Sequence, residues 1–295
     1  MKRFLSIVLA LAFALGASAQ QTPSLKDADE VVRLWDNTTA KHSNYETRDE
    51  VWRNKKRIVV KQTSSCELYI FKAATDKNTG AAVALYPGGG YIHLGLPIVL
   101  ARWYASQGIT AAIVKYRLPN YGHHAATLED AEGAVRYLRT RTDLGIDPKK
   151  VGVSGSSAGG HLGSWVSNTM PDGEKPAFAI LHYPWIDLTK SRSSAEAGAL
   201  RQLLGKGYTI NDALGLSTHT MVTSTTTPTL LLLCHDDPTV LSTSSTKYYK
   251  ALIQHGVRAS LHIYPHGGHS LSRHKPEYQS ATIDWLQWLK IIEKQ

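Results

Sequence analysis

Gly155-Ser156-Ser157-Ala158-Gly159 follows the apolar stretch Val151-Gly152-Val153 and opens a segment of helical character. A Gly-x-Ser-x-Gly pattern at a strand-to-helix boundary puts the middle serine on a sharp turn with its hydroxyl exposed. The two glycines fall where a side chain would collide with the adjoining strand and helix, so the turn can close tightly. Ser157 is then presented as a nucleophile. Five small, common residues read equally well as a flexible serine-rich turn, and the rest of the chain decides between the two.

Upstream, Ala82-Val83-Ala84-Leu85-Tyr86 reads as a buried strand running into Pro87-Gly88-Gly89-Gly90-Tyr91. Consecutive glycines uncover backbone N–H groups, which an oxyanion-binding loop requires. Downstream, the apolar run Leu230-Leu231-Leu232-Leu233 ends at Cys234-His235-Asp236-Asp237-Pro238-Thr239-Val240. A carboxylate therefore lies just past the C-terminal end of a strand, where ligands meet an open α/β sheet. Spacing alone leaves both Asp236 and Asp237 open. The short alternating strand Leu261-His262-Ile263-Tyr264 then leads to Pro265-His266-Gly267-Gly268-His269, a turn carrying histidine. Serine, aspartate, histidine is the chain order of the α/β-hydrolase triad.

From residue 81 the chain alternates: strand 82–86, helix 96–106, strand 109–115, helix 126–142, strand 151–154, helix 158–169 and strand 177–182. This predicts an α/β fold, a mostly parallel central sheet with helices on both faces. Gly108 and Gly145 end helices, and Asp147-Pro148 marks the turn into the nucleophile strand. Strands at 58–60 and 67–72, split by Thr63-Ser64-Ser65, are expected to form an antiparallel edge after a polar leader from residue 20 to about 54. Between 187 and 226 the alternation stops in a segment rich in Ser and Thr that contains Leu200-x-x-Leu203-Leu204. Loops this long tend to be functional, and a short cap insertion over the site is expected.

Residues 87–91, Tyr116-Arg117-Leu118, Leu128-Glu129-Asp130-Ala131, 155–161, Thr227-Pro228, 237–240 and 262–269 together resemble an α/β-hydrolase of the bacterial esterase group that includes acetyl-xylan esterases and feruloyl esterases. The resemblance implies the α/β-hydrolase fold and acyl-enzyme chemistry at a serine. It implies Ser157 as nucleophile and His269, in Gly-Gly-His, as base. It also picks Asp237, which precedes two residues and a valine, as the acid that orients the imidazole. The oxyanion hole would combine the N–H of Ala158 with one or two from Gly89 and Gly90. Leu241 and Ser270 depart from the proline and glycine often found there, and Pro87 replaces the histidine that many esterases place before the glycines.

The implied substrate is a short acyl ester, chiefly acetyl, on an acylated oligosaccharide of the plant cell wall such as xylan. A feruloyl or general short-chain carboxylesterase is the alternative, and a non-catalytic carbohydrate-binding protein on a hydrolase fold is the reading from another class. No cofactor is expected. Tyr91, Tyr121 and Trp185 fall on loops at the carboxyl edge of the sheet, where an aromatic face can stack on sugar or fill the core instead. Arg117 and Asp130 are expected to form a buried supporting ion pair.

Composition sets the remaining bounds. A single domain over 20–295 is expected from the 295 residues. Met1-Lys2-Arg3, an apolar run and Ala17-Ser18-Ala19 read as a signal peptide over 1–19. The run is shorter than the roughly 20 apolar residues of a membrane span. A secreted or periplasmic protein, with no stable membrane insertion after signal removal, is expected.

The formal charge of +9 falls to +7 without Lys2 and Arg3. The remaining basic residues are scattered, so a solvated surface and no nucleic-acid partner are expected. Cys66 and Cys234 are expected as reduced, buried thiols. His262, His266 and His269 are closely spaced, but no acidic helix motif or cysteine set accompanies them and no metal is expected. A long-chain lipase is set aside because the insertion is polar. A prolyl-oligopeptidase-like peptidase shares the triad order but usually carries a large extra domain, for which the chain has no room.

Overall fold

The computed structural model describes residues 25–53, 58–190 and 194–293. The expected signal peptide at 1–19 lies outside them. In chain order the strands are β1 (Glu30–Asp36), β2 (Glu50–Arg53), β3 (Ile58–Gln62), β4 (Ser65–Phe71), β5 (Ala82–Tyr86), β6 (Leu94–Gly95), β7 (Thr110–Lys115), β8 (Val151–Ser156), β9 (Ala179–His182), β10 (Thr229–Cys234) and β11 (Ala259–Tyr264). The helices are α1 (Ile98–Ser106), α2 (His124–Thr140), α3 (Ala158–Thr169), α4 (Ser194–Leu204), α5 (Ile210–Gly215), α6 (Ser242–Gln254) and α7 (Lys275–Trp288).

The main sheet runs β1-β4-β7-β5-β8-β9-β10-β11. From β7 to β11 every pairing is parallel, while β4 joins β7 and β1 joins β4 antiparallel. Every residue of β5, β7 and β10 is buried, as strands covered on both faces must be. Helices α2, α3 and α6 lie against one face. On the other, α1 and α7 border a common cleft. This is the α/β-hydrolase architecture.

Two expectations about the N-terminal part need correction. Part of the polar leader is β1, in which Val32 and Leu34 turn toward the core while Val31 and Arg33 face solvent. The indole of Trp35 lies against α2 at Gly133, where a Cβ would approach it to 2.2 Å. The strand over 58–60 does not join the main sheet; as β3 it lies between β2 and β6 in a second, three-stranded antiparallel sheet.

Arg117, fully buried after β7, donates from Nε to both Asp130 oxygens at 3.1 Å and from a terminal nitrogen to Asp130 Oδ1 at 2.7 Å. Burial is the largest influence and works against the guanidinium charge, but the hydrogen bonds and negative charges of Asp130 and Glu129 together outweigh it and raise the arginine above its ordinary value. Neighbouring Tyr116 donates to the carbonyl of Pro87 at 2.8 Å, so this cluster also supports the glycine loop. Cys66 on β4 and Cys234 on β10 are free and buried.

Candidate active site

At the end of β8 the backbone turns sharply at Ser157, whose φ of 55° and ψ of −120° are unfavourable for a side chain, and α3 begins at Ala158. Such a conformation costs roughly 1–3 kcal/mol and persists when its surroundings overdetermine it. Here they do. Ser157 N–H donates to the carbonyl of His182 at 3.0 Å, and its own carbonyl accepts from the N–H groups of His161 and Trp185 at 3.0 and 3.1 Å. Both motif glycines are required by contact: a Cβ on Gly155 would stand 2.1 Å from the Gly159 carbonyl oxygen, and one on Gly159 would stand 2.0 Å from that of Tyr86.

His269 meets this hydroxyl. Its Nε2 is 2.8 Å from Ser157 Oγ, and its Nδ1 is 2.7 Å from Asp237 Oδ2. The carboxylate of Asp237 is buried, and its other oxygen accepts from the N–H groups of Thr239 and Val240 at 2.8 and 2.9 Å. A carboxylate can only accept, so the hydrogen on His269 sits at Nδ1 and leaves Nε2 free to accept from the serine. Asp236 turns the other way and accepts from Gly267 N and Gly268 N at 3.2 and 2.8 Å. One aspartate contacts the imidazole while its neighbour ties down the loop that carries it. Tyr183 packs its ring edgewise on His269 with centroids 4.6 Å apart, and burial pushes its phenol up to about 12.

Gly88, Gly89 and Gly90 line the same cleft as Ser157. Gly88 comes closest, since a Cβ there would stand 3.2 Å from that of Ser157. Ala158 is the first residue of α3, so its N–H has no acceptor within the helix and lies at the positive end of the helix dipole. The small sheet braces the loop: Gly95 N–H donates to the Gly88 carbonyl at 2.9 Å, and β6 pairs with β3.

The cleft has a volume of about 410 Å³, and its walls include Ile92, Tyr183, Trp185, Val240 and, from α4 of the insertion, Glu196 and Ala199. Trp185 therefore reaches the site. Tyr91 does not, which corrects its expected sugar contact. It is wholly buried, and its hydroxyl lies 2.7 Å from His161 Nδ1. His161 Nε2 lies 2.7 Å from the Leu216 carbonyl. Nε2 thus carries the hydrogen and Nδ1 accepts from the tyrosine. Burial lowers His161 to about 4, so it is neutral. Tyr121 is exposed outside the cleft, beneath Lys206.

Sequence reading missed Tyr183, although its place just past β9 at the carboxyl edge was a usable signal. The contribution of Glu196 and Ala199 had none. His262 pairs with Ser260 at 3.1 Å, while the carbonyl of His266 accepts from His274. Among the described residues no group of three or more His, Cys, Asp or Glu is placed to hold a metal ion. Nor is any described helix long and apolar enough to cross a membrane.

Residues 119–291 match the prolyl oligopeptidase family, and they include Ser157, Asp237 and His269. The chain belongs to that family. It is 34% identical over 228 residues to an acetylxylan esterase of Xylanibacter ruminicola, a stretch covering 74% of this chain and 47% of that protein. The chain thus spans about half the length of that relative. A carboxylesterase of Mycobacterium tuberculosis, NlhH, is 30% identical over 161 residues, 50% of each protein. Among solved structures, the acetyl ester-xyloside bifunctional hydrolase from Caldicellulosiruptor lactoaceticus superposes with a TM-score of 0.68 at 32% identity, covering 77% of this chain and 89% of that one.

Proposed function

We propose that this protein is an exported serine esterase that removes short acyl groups, acetyl foremost, from plant cell-wall carbohydrate such as xylan. The observation that carries the reading is the hydrogen-bonded line Ser157, His269, Asp237 opening into a cleft walled by the glycine loop. Ser157 Oγ attacks the ester carbonyl as His269 Nε2 takes its proton. Negative charge then develops on the carbonyl oxygen, toward the N–H groups of Ala158 and of Gly89 and Gly90. Removing one such donor typically costs about 3–4 kcal/mol in barrier height. As the bond to the leaving sugar hydroxyl breaks, His269 returns the proton to it. Water enters by the same route in reverse and releases the acid. Asp237 holds the imidazole hydrogen at Nδ1 and stabilises the imidazolium formed in both halves.

The carbohydrate half of the reading draws on the similarity to the acetylxylan esterase and to the acetyl ester-xyloside hydrolase. A cleft of about 410 Å³ with Trp185 on its wall suits a small acyl group on a ring-bearing alcohol. Mass spectrometry of acetylated and feruloylated xylo-oligosaccharides after incubation tests it. Stepwise loss of acetyl mass is expected, with slower or no loss of feruloyl. Release of feruloyl alone would move the protein to the alternative acyl class. Cleavage of a blocked prolyl p-nitroanilide without ester hydrolysis would replace the esterase reading by a peptidase.

A further inference from the structure

A second cavity, of about 440 Å³, opens between α1 and α7 on the face of the sheet next to the Ser157 cleft. The linings of the two have Ser156 and Tyr183 in common. Serine is small, so the side chain that divides them is that of Tyr183. Beyond the tyrosine the cavity is walled by Leu85, Pro97, Val99, Leu100 and Leu271, with Ser272 and Lys275 exposed at its mouth. The five apolar side chains suit an alkyl chain, whose transfer out of water they reward carbon by carbon.

The partition stands at the reacting atoms. Tyr183 packs edgewise on His269 with ring centroids 4.6 Å apart, and His269 Nε2 lies 2.8 Å from Ser157 Oγ. An acyl group bonded to that oxygen therefore comes within a few carbons of the tyrosine. Trp185 and Ala199 line the catalytic cleft and not the cavity beyond, which leaves them to the alcohol part of the ester. The backbone of Tyr183 is held at a φ of 38°, in the left-handed region that favours glycine, and its N–H donates to the Leu232 carbonyl at 2.7 Å. A large side chain kept at such a position points to a use for that side chain.

We propose that Tyr183 sets the length of acyl group the enzyme accepts, by shutting the catalytic cleft off from the apolar cavity between α1 and α7. The inference rests on the esterase reading and adds the residue that confines it to short acyl groups. With the ring gone the two spaces join, and a longer chain on Ser157 runs into the second.

The test is kcat/KM of the full chain on p-nitrophenyl acetate and octanoate, which differ only in the acyl group. Wild type should favour acetate. Tyr183→Ala removes a contact with His269 and should slow both esters, but the ratio of octanoate to acetate cancels that loss and should rise at least about tenfold. Tyr183→Leu keeps an apolar contact on His269 and should raise the ratio severalfold, which retains the test if the alanine variant does not fold. Val99→Trp, exposed on α1 at the second cavity, should leave wild-type activity on acetate unchanged and should remove most of the gain when combined with Tyr183→Ala. An unchanged ratio in a folded Tyr183 variant would overturn the proposal, as would a gain that persists beside Val99→Trp, because the chain would then leave by another path. Either result with an acetate-preferring wild type leaves the esterase reading standing. A wild-type protein that hydrolyses neither ester removes that reading and the inference with it.

Discussion

Two loops face Ser157, built from nearly the same backbone move and held by different means. The glycine loop passes through Gly89 and Gly90 at φ of 138° and 62°, and the histidine loop through Gly267 and Gly268 at 147° and 66°. Each first glycine is confined by contact: a Cβ on Gly89 would stand 2.0 Å from the His93 carbonyl oxygen, and one on Gly267 would stand 2.7 Å from Cys234 Sγ. The glycine loop is then fixed by many backbone bonds, from Gly95 N to Gly88, from Ile92 N and His93 N to Gly89, and from β6 to β3. The histidine loop relies on side chains, chiefly Asp236 bonded to Gly267 N and Gly268 N. Groups meant to receive charge without moving suit a backbone frame. A base that must accept and return a proton is placed by two adjacent carboxylates with separate tasks.

Asp237→Ala should give the largest effect, because it frees the imidazole and removes the partner of its charged form. Turnover on p-nitrophenyl acetate should fall by about four orders of magnitude with a modest change in KM. Asp236→Ala removes the tether without touching the imidazole, so a loss on the order of tenfold in kcat is expected, about 1.4 kcal/mol. Equal losses in the two variants would erase the division of labour drawn between them.

Acid should act more on stability than the loops' hydrogen bonding suggests. His161 and His182 are both lowered to about 4 by burial. Between the ordinary histidine value and that point the unfolded chain binds protons that the folded chain does not, so stability falls as pH falls through this window. By pH 4 each histidine should account for a loss on the order of 3 kcal/mol. Urea melts at stepped pH give the slope, and a flat profile from neutral pH to 4 would contradict the buried neutral assignment. Tyr91→Phe leaves His161 Nδ1 without its donor and should cost about 1–3 kcal/mol of stability. Its effect on kcat should stay small, because the backbone frame holds the glycine loop. A larger loss in kcat than in stability would show that the frame alone does not position the loop.

The parts legible in sequence are those written in local pattern. The elbow at Ser157 sits inside five residues, and the buried strands β5, β8 and β10 are short apolar runs whose order sets the topology. Asp237 and His269 follow such runs at the carboxyl edge. What escaped depends on partners far along the chain. The half-buried strand β1 is defined by pairing with β4 and by Trp35 meeting Gly133, almost a hundred positions later. The bracing of the glycine loop needs β3, read as a strand but not with its partners, to pair with the two-residue β6, which is too short to show a period. Tyr91 follows three glycines and reads as a loop tip. Its burial became visible only with His161 beneath it, whereas Trp185, read on the same ground, does reach the cleft.

Labelling of the purified protein with a serine-reactive fluorophosphonate, followed by peptide mass spectrometry, tests the central claim most directly. The account predicts one adduct, on Ser157, that forms in step with loss of esterase turnover and is absent from Ser157→Ala, which should fold normally and lose turnover by several orders of magnitude. An adduct at another residue, or a Ser157→Ala protein keeping more than about a tenth of wild-type turnover, would contradict it.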